Sequence, residues 1–298
     1  MLPKKFSFLE LSRLKLIASS NNKFLYKSDV IKNLKDYRLD YQLGGQDNYF
    51  INLSRGAYRR DSTLTERTWK FLFKYLVVAK QIFDKAKEKN KTINVLDIGC
   101  SKGFLRRILE SNIRKDEKIV YVGIDLSRSK LEETVFNENS LESGAGGDKI
   151  LSAYIWHNAA KHLPLKLRSF DFIICFQMIK YLPREEVLNL LKEIFRVLKK
   201  DGLFFLSTDP IFNKQNKNKN FNKMKLVIKG YQSFWTEKSI RKILKSTGFQ
   251  ETPILGLVAE DGEAIRYLKK VLPEEITEAL ISICRPELYP EKLFIFKK

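Results

Sequence analysis

A chain of 298 residues that is 44% hydrophobic can bury one large core, and its formal net charge of +20 creates a positive field of the kind that gathers polyanions. Three isolated cysteines and two histidines exclude a disulfide framework and a histidine-rich metal centre. No apolar run approaches the roughly 18 residues of a membrane span, and charges inside the first ten residues interrupt any secretory signal, so the expectation is a cytoplasmic protein without metal or membrane.

Phe8, Leu9, Leu11, Leu14, Leu16 and Ile17 have helix-like spacing, and Asp29 to Leu34 predicts another short helix. Gly44 to Asn48 is a loop by composition, followed by the basic run Arg55 to Arg60. Residues 1–62 are therefore expected to form a partly helical N-terminal extension. It can fold over a ligand crevice as a lid, with Arg55, Tyr58 or Arg59 against the ligand; a solvated basic loop is the plainer alternative. Ser62 to Glu66 has the form of a capping box. It opens a long helix to about residue 89, with Trp69, Leu72, Leu76, Ala79 and Phe83 facing a core.

Ile93 to Ile98 is an apolar run with Asp97 near its end. Gly99 and Gly103 then turn the chain, and Phe104, Leu105, Ile108 and Leu109 recur at helix spacing. A strand, a glycine turn and a helix N-terminus make a nucleotide-binding crevice. The spacing Gly99-x-x-x-Gly103 is not the G-x-G-x-x-G of a dinucleotide site, because Ser101 stands where the middle glycine would be. Asp97, two residues before the turn, would repel a pyrophosphate and suits a ligand with an ammonium group. That is a first pointer to S-adenosylmethionine.

Ile119 to Asp125 is a second apolar run ending in an acid, roughly 20 residues past Gly103, where a carboxylate meets ribose hydroxyls. A helix is expected from Ser127 to about Glu138, then a polar loop to Gly147. The third run, Leu151 to Trp156, ends at His157, Asn158 and Ala159. The fourth, Phe170 to Phe176, leads through Gln177 and Met178 into an amphipathic helix from Arg184 to Leu198, with Pro183 at its first turn. The fifth is Leu203 to Ser207. Alternating strands and helices imply a parallel sheet covered on both faces, with ligands at the C-terminal strand ends, where Asp125, Asn158, Phe176 and Ser207 fall.

From Thr208 to Lys225 no acid follows Asp209, and Phe212 and Phe221 are interleaved with lysines. Lysines for phosphates and aromatics for stacking suit single-stranded RNA, against the plainer alternative of a solvated loop. Thr236 to Gly248 predicts a capped helix with a glycine stop. Glu263 to Cys284 predicts a helical segment broken by Pro273, and Leu293 to Phe296 a last strand.

In this order the motifs resemble the class I S-adenosylmethionine-dependent methyltransferases, over roughly Ile93 to Gly248 and the last strand. The resemblance implies a doubly wound α/β fold: a seven-stranded, mostly parallel sheet with helices on both faces. Residues 63–298 would be the methyltransferase domain, with a basic loop at 211–230 and a helical insertion at 261–285. The cofactor would be S-adenosylmethionine, held by Asp97, Gly99, Cys100, Ser101 and Gly103 in the glycine loop and by Asp125 and Leu126 at the ribose. Asn158 and Ala159 would meet the adenine, and Phe176, Gln177 and Met178 would line the pocket after the fourth strand. Asn158 replaces the family's usual Asp and keeps a carbonyl acceptor for the adenine amine.

Methyl transfer from a sulfonium needs chiefly proximity and alignment, so no catalytic residue is assigned. Asp209, His157, Lys180 and Tyr181 are the candidate bases near the crevice. The glycine loop, Tyr121 to Asp125 and Met178 to Leu182 also resemble messenger-cap guanine-N7 methyltransferases, except that Lys180 stands where those carry a histidine. Three functions follow: a methyltransferase for an anionic acceptor such as RNA; one for a small molecule or glycan; or a cofactor-binding protein without turnover. The +20 charge favours the first, although AT-rich codon usage also enriches lysine.

Overall fold

Runs rich in Ile, Val, Tyr and Phe, separated by amphipathic stretches, pair as strands with helices laid across them. The computed structural model describes residues 6–20, 22–31, 74–75, 77–88, 91–114, 117–136, 150–208, 232–233, 235–252 and 292–298. Its strands are β1 (Leu14–Ser20), β2 (Lys23–Ser28), β3 (Thr92–Ile98), β4 (Lys118–Asp125), β5 (Leu151–Trp156), β6 (Phe170–Phe176), β7 (Leu198–Thr208), β8 (Gln250–Thr252) and β9 (Lys292–Lys297). The helices are α1 (described over 74–75 and 77–86), α2 (Phe104–Asn112), α3 (Arg128–Phe136), α4 (Arg184–Val197) and α5 (Glu237–Thr247).

Among the described residues the nine strands form one sheet, in the order β1-β2-β5-β4-β3-β6-β7-β9-β8. The expected seven-stranded core is present as β5-β4-β3-β6-β7-β9-β8, with a hairpin added beside β5. Pairing is parallel from β2 through β7 and antiparallel at β1–β2, β7–β9 and β9–β8. From β3 the chain winds outward to β4 and β5, then returns to β6 on the other side. Two crossover directions therefore diverge between β3 and β6, the place where such sheets open a crevice.

Each face of the sheet has its own core. One buries Val77, Val78, Ile82 and Phe83 of α1, Leu105 and Leu109 of α2, and Leu131 and Val135 of α3. The other buries Val187, Leu190, Leu191, Ile194 and Val197 of α4, Ile240 and Leu244 of α5, and Phe6, Phe8 and Leu9. The strands between are buried on both sides, which is why they read as continuous apolar runs. Helix α5 starts on a capping box between Thr236 and Ser239 and stops at Gly248, as its sequence predicts.

The N-terminal segment differs from expectation. Where apolar spacing predicts a helix over 8–17, the chain makes a short 3-10 turn (Leu11–Arg13) and then the β1–β2 hairpin. In β2, Leu25 and Tyr26 are both buried because the strand lies between β1 and β5. Leu16 on the edge strand stays exposed. Residues 6–20 and 22–31 therefore belong to the sheet and its core. The helix expected at 29–34 beyond Ile31, the loop with Arg55, Tyr58 and Arg59, the capping box at Ser62, Asp209, the basic loop 211–230 and the insertion 261–285 lie outside the described residues.

Candidate cofactor and active site

The crevice begins at the end of β3. Gly99, Ser101 and Gly103 all have left-handed backbones, with φ of 76°, 48° and 64°. At Gly99 a Cβ would also come within 3.1 Å of Met178 Cγ, so a side chain there is both strained and crowded. Ser101 adopts the conformation that glycine supplies elsewhere, and its N–H donates to Asp125 Oδ2 at 2.8 Å. That bond helps hold Ser101 in place and ties the glycine loop to β4. The N–H groups of Gly99 and Cys100 both donate to Ile124 O, at 2.7 and 3.1 Å. The Cys100 thiol is buried, and burial pushes its pKa well above the ordinary thiol value, which makes it a packing group rather than a nucleophile.

Two carboxyl groups stand at neighbouring strand ends. Asp97 is buried, and its Oδ2 accepts from Tyr121 Oη at 2.7 Å. Burial pushes its pKa up to about 7; the Tyr121 bond opposes the rise and the charge of Asp125 adds to it. Asp125 accepts from the N–H groups of Ser101 and Ser127, both at 2.8 Å. Burial raises its pKa too, against those two donors. Leu126 is half-buried, and its carbonyl accepts from Trp156 Nε1 at 3.0 Å.

At the end of β5, Asn158 is half-buried and caps a turn, its Oδ1 accepting from Ala160 N at 3.0 Å, with Ala159 buried beside it. His157 points instead to the hairpin: its Nδ1 lies 2.8 Å from Ser28 Oγ, and burial lowers its pKa to about 4. That makes it a neutral packing residue, not a base at the crevice. After β6, Phe176 is buried in a cluster with Tyr75 and Phe104, with centroid separations of 5.1 Å for Tyr75–Phe176 and 5.0 Å for Tyr75–Phe104. Gln177 has φ of 60°, its N–H donates to Ser207 O at 2.8 Å, and its Oε1 accepts from the buried Lys180 ammonium.

The fold brings Asp97, Gly99, Cys100, Ser101, Gly103, Asp125, Leu126, Asn158, Ala159, Phe176, Gln177 and Met178 to the C-terminal ends of β3, β4, β5 and β6. The residues suit S-adenosylmethionine. A buried carboxyl with a raised pKa is matched by a ligand ammonium, and the left-handed positions Gly99 and Gly103 leave backbone without a Cβ at the switch point. Sequence inspection missed Tyr121, Ser127 and Ser28. The first becomes evident only from the register, in which Tyr121 lies two residues before Gly123, the partner of Asp97.

A family model described as a methyltransferase domain matches residues 69–253. The chain belongs to this family of methyltransferase domains. The methyltransferase uses S-adenosylmethionine as cofactor. Among solved structures it is similar to magnesium protoporphyrin IX methyltransferase from Synechocystis with bound S-adenosylhomocysteine. That likeness has a TM-score of 0.55 at 16% identity, covering 89% of this chain and 99% of that one. It is also similar to phosphoethanolamine N-methyltransferase 2 from Haemonchus contortus in complex with S-adenosylmethionine, at TM-score 0.45 and 17% identity, over 84% of this chain and 60% of that one. No curated protein matches the chain. Among the described residues, no helix of the methyltransferase is long and apolar enough to cross a membrane, and no group of three His, Cys, Asp or Glu could hold a metal ion.

Proposed function

We propose that the methyltransferase acts on an anionic acceptor, with RNA as the first candidate. Asp97, Gly99, Cys100, Ser101 and Gly103 hold the amino-acid end of the cofactor. Asp125 and Leu126 receive the ribose, and Asn158 and Ala159 the adenine. When bound, S-adenosylmethionine would supply a methyl group activated by its sulfonium: the acceptor's lone pair would bond to the methyl carbon in line as the C–S bond breaks and S-adenosylhomocysteine leaves. The chain's own part is to orient and to exclude water: Phe176 and Met178 wall the crevice, and Asp97 offers a carboxylate to the ammonium.

The observation that carries the acceptor is where the basic stretch enters and leaves. Positions 211–230 contain six lysines and no acid. Of the residues that bracket them, Thr208 ends β7, and Gln232 N donates to Lys180 O at 2.8 Å, beside Gln177. Both anchors stand at the ligand end of the sheet. A lysine-rich stretch tethered there is suited to guiding a polyanion toward the crevice.

The same scaffold serves a methyltransferase whose name gives a porphyrin substrate, so a small-molecule acceptor is the second possibility. Tritiated S-adenosylmethionine is supplied with total RNA and, separately, with an RNA-free metabolite and glycan extract. Label in RNA that falls steeply between about 50 and 200 mM salt is the expected result. Label confined to the metabolite fraction would reject the RNA proposal.

A further inference from the structure

Gln177 holds a left-handed backbone that is uncommon for a side chain of its size, and such residues cluster where a site constrains them. Its own bonds define what it can do next. An ammonium carries donors only, so the Lys180 bond to Oε1 sets the amide: the oxygen faces Lys180 and Nε2 is turned away. Lys180 is itself fixed, since its carbonyl accepts from the N–H groups of Gln232 and Ser233 at 2.8 and 3.2 Å. Gln177 Nε2 is buried and has no hydrogen-bond partner among the described residues. Ser207 lies opposite Phe176 in the β6–β7 register, and its hydroxyl and that of Thr208 are likewise buried, with no hydrogen-bond partner among the described residues. Gln177 Nε2 and Ser207 Oγ thus lie at the ends of β6 and β7, next to the reversal between β3 and β6, while Thr208, the next residue of the strand, faces the other side of the sheet. Buried polar groups are ordinarily paired, so exceptions at the ligand end of a sheet mark where a ligand can supply the partner.

We propose that Gln177 contacts the methyl acceptor rather than the cofactor. Its Nε2 donates to an acceptor atom that carries a lone pair: a carbonyl, carboxylate or phosphate oxygen, or an unprotonated ring nitrogen. The inference rests on the S-adenosylmethionine crevice proposed above and narrows the acceptor class. A primary amine uses its single lone pair to attack the methyl carbon, which leaves only N–H groups to meet the Gln177 N–H, donor against donor. An oxygen or aromatic-nitrogen edge is matched, and the Ser207 hydroxyl, which can donate or accept, adapts to its neighbours.

Gln177→Glu keeps the size of the side chain and an oxygen for Lys180, but replaces the Nε2 donor with a second carboxylate oxygen. In this variant, tritium transfer from S-adenosylmethionine into whichever fraction the wild type labels should fall about tenfold or more in kcat/KM, while the Kd for S-adenosylhomocysteine changes less than about twofold. Gln177→Met, which brings no charge, should lose transfer in the same way with cofactor affinity kept. Undiminished transfer in Gln177→Glu overturns the proposal. So does a parallel loss of S-adenosylhomocysteine affinity, which would return Gln177 to the cofactor pocket. A wild-type protein that does not bind S-adenosylhomocysteine would instead reject the crevice itself, and one that binds it yet labels neither fraction would remove the acceptor that Gln177 is proposed to read.

Discussion

Cofactor affinity should depend on the ionisation of Asp97 in a pH range where an ordinary aspartate does not titrate. Burial lifts this carboxyl to about 7 from an ordinary 3.8. If the ammonium of the ligand binds only the carboxylate, affinity follows the ionised fraction. With a pKa of about 7, that fraction is roughly 0.76 at pH 7.5 and roughly 0.03 at pH 5.5, a fall of about 25-fold, or about 1.9 kcal/mol. Calorimetric titration with S-adenosylhomocysteine at the two pH values measures it, and repeating the pH 5.5 titration in buffers of different ionisation enthalpy should reveal about one proton released on binding. Asp97→Asn should bind weakly at both pH values and lose most of the dependence; what remains reports Asp125. Equal affinity of the wild type at pH 5.5 and 7.5, or an undiminished dependence in Asp97→Asn, would refute the placement of the ammonium against Asp97.

Tyr121→Phe removes the hydrogen bond that lowers the Asp97 pKa; the pH midpoint of binding should move upward, and affinity at pH 7.5 should drop by about 1 kcal/mol. Asp125→Ala should weaken S-adenosylhomocysteine binding by about 1–3 kcal/mol, the scale of charged hydrogen bonds lost from a partly buried site, and unchanged calorimetry would remove Asp125 from the ribose. The folded-state pKa of His157 is depressed to about 4 from 6.5, so the unfolded chain binds more protons between those values, and His157 costs stability as pH falls through that window, by about 3 kcal/mol in all. The raised pKa of Asp97 acts with opposite sign, since its contribution is full below 3.8 and is lost as pH rises through about 7. Urea unfolding of His157→Gln at pH 4.5 and 6.5 should therefore show stability declining with rising pH more than in the wild type; parallel profiles would deny the burial effect. Gly123→Ala would set its Cβ 2.6 Å from Cys100 Sγ and 2.9 Å from Tyr154 Cδ1; overpacking of about 1–3 kcal/mol should lower Tm by several degrees in a thermal scan.

The central sheet was legible because its strands are buried on both faces. Ile93 to Ile98, Ile119 to Asp125 and Phe170 to Phe176 have few polar interruptions, and each ends at the residues that line the crevice. The glycine loop was legible for a different reason: left-handed backbone demands small residues, and Gly99, Ser101 and Gly103 stand where it occurs. The hairpin was not, because Phe8 to Ile17 satisfies a helical period as well as a strand on the sheet edge. The Asn21-Asn22 pair between two apolar runs was the overlooked turn signal. The Gln177–Lys180 bond was out of reach for sequence inspection, since it depends on one residue leaving the strand alternation at φ of 60°. The pairing of His157 with Ser28 was hidden by a separation of 129 positions.

That separation also bears on how the protein is made. An isolated two-stranded hairpin is at best marginally stable in water, and β2 completes its pairing only with β5. At roughly 5–20 residues per second, a ribosome needs on the order of ten seconds or more to deliver β5 after β2 has emerged. Through that interval Phe24, Leu25 and Tyr26 have no sheet to join, and the nascent chain is open to mispairing and to chaperones. Once β5 arrives, the hairpin covers its edge and leaves β1 outermost, where exposed Lys15 and the bulge between Leu16 and Ala18 discourage a further strand. The β1–β2 hairpin therefore waits for a strand made long after it, and once that strand is in place the hairpin covers the edge of the sheet beside β5.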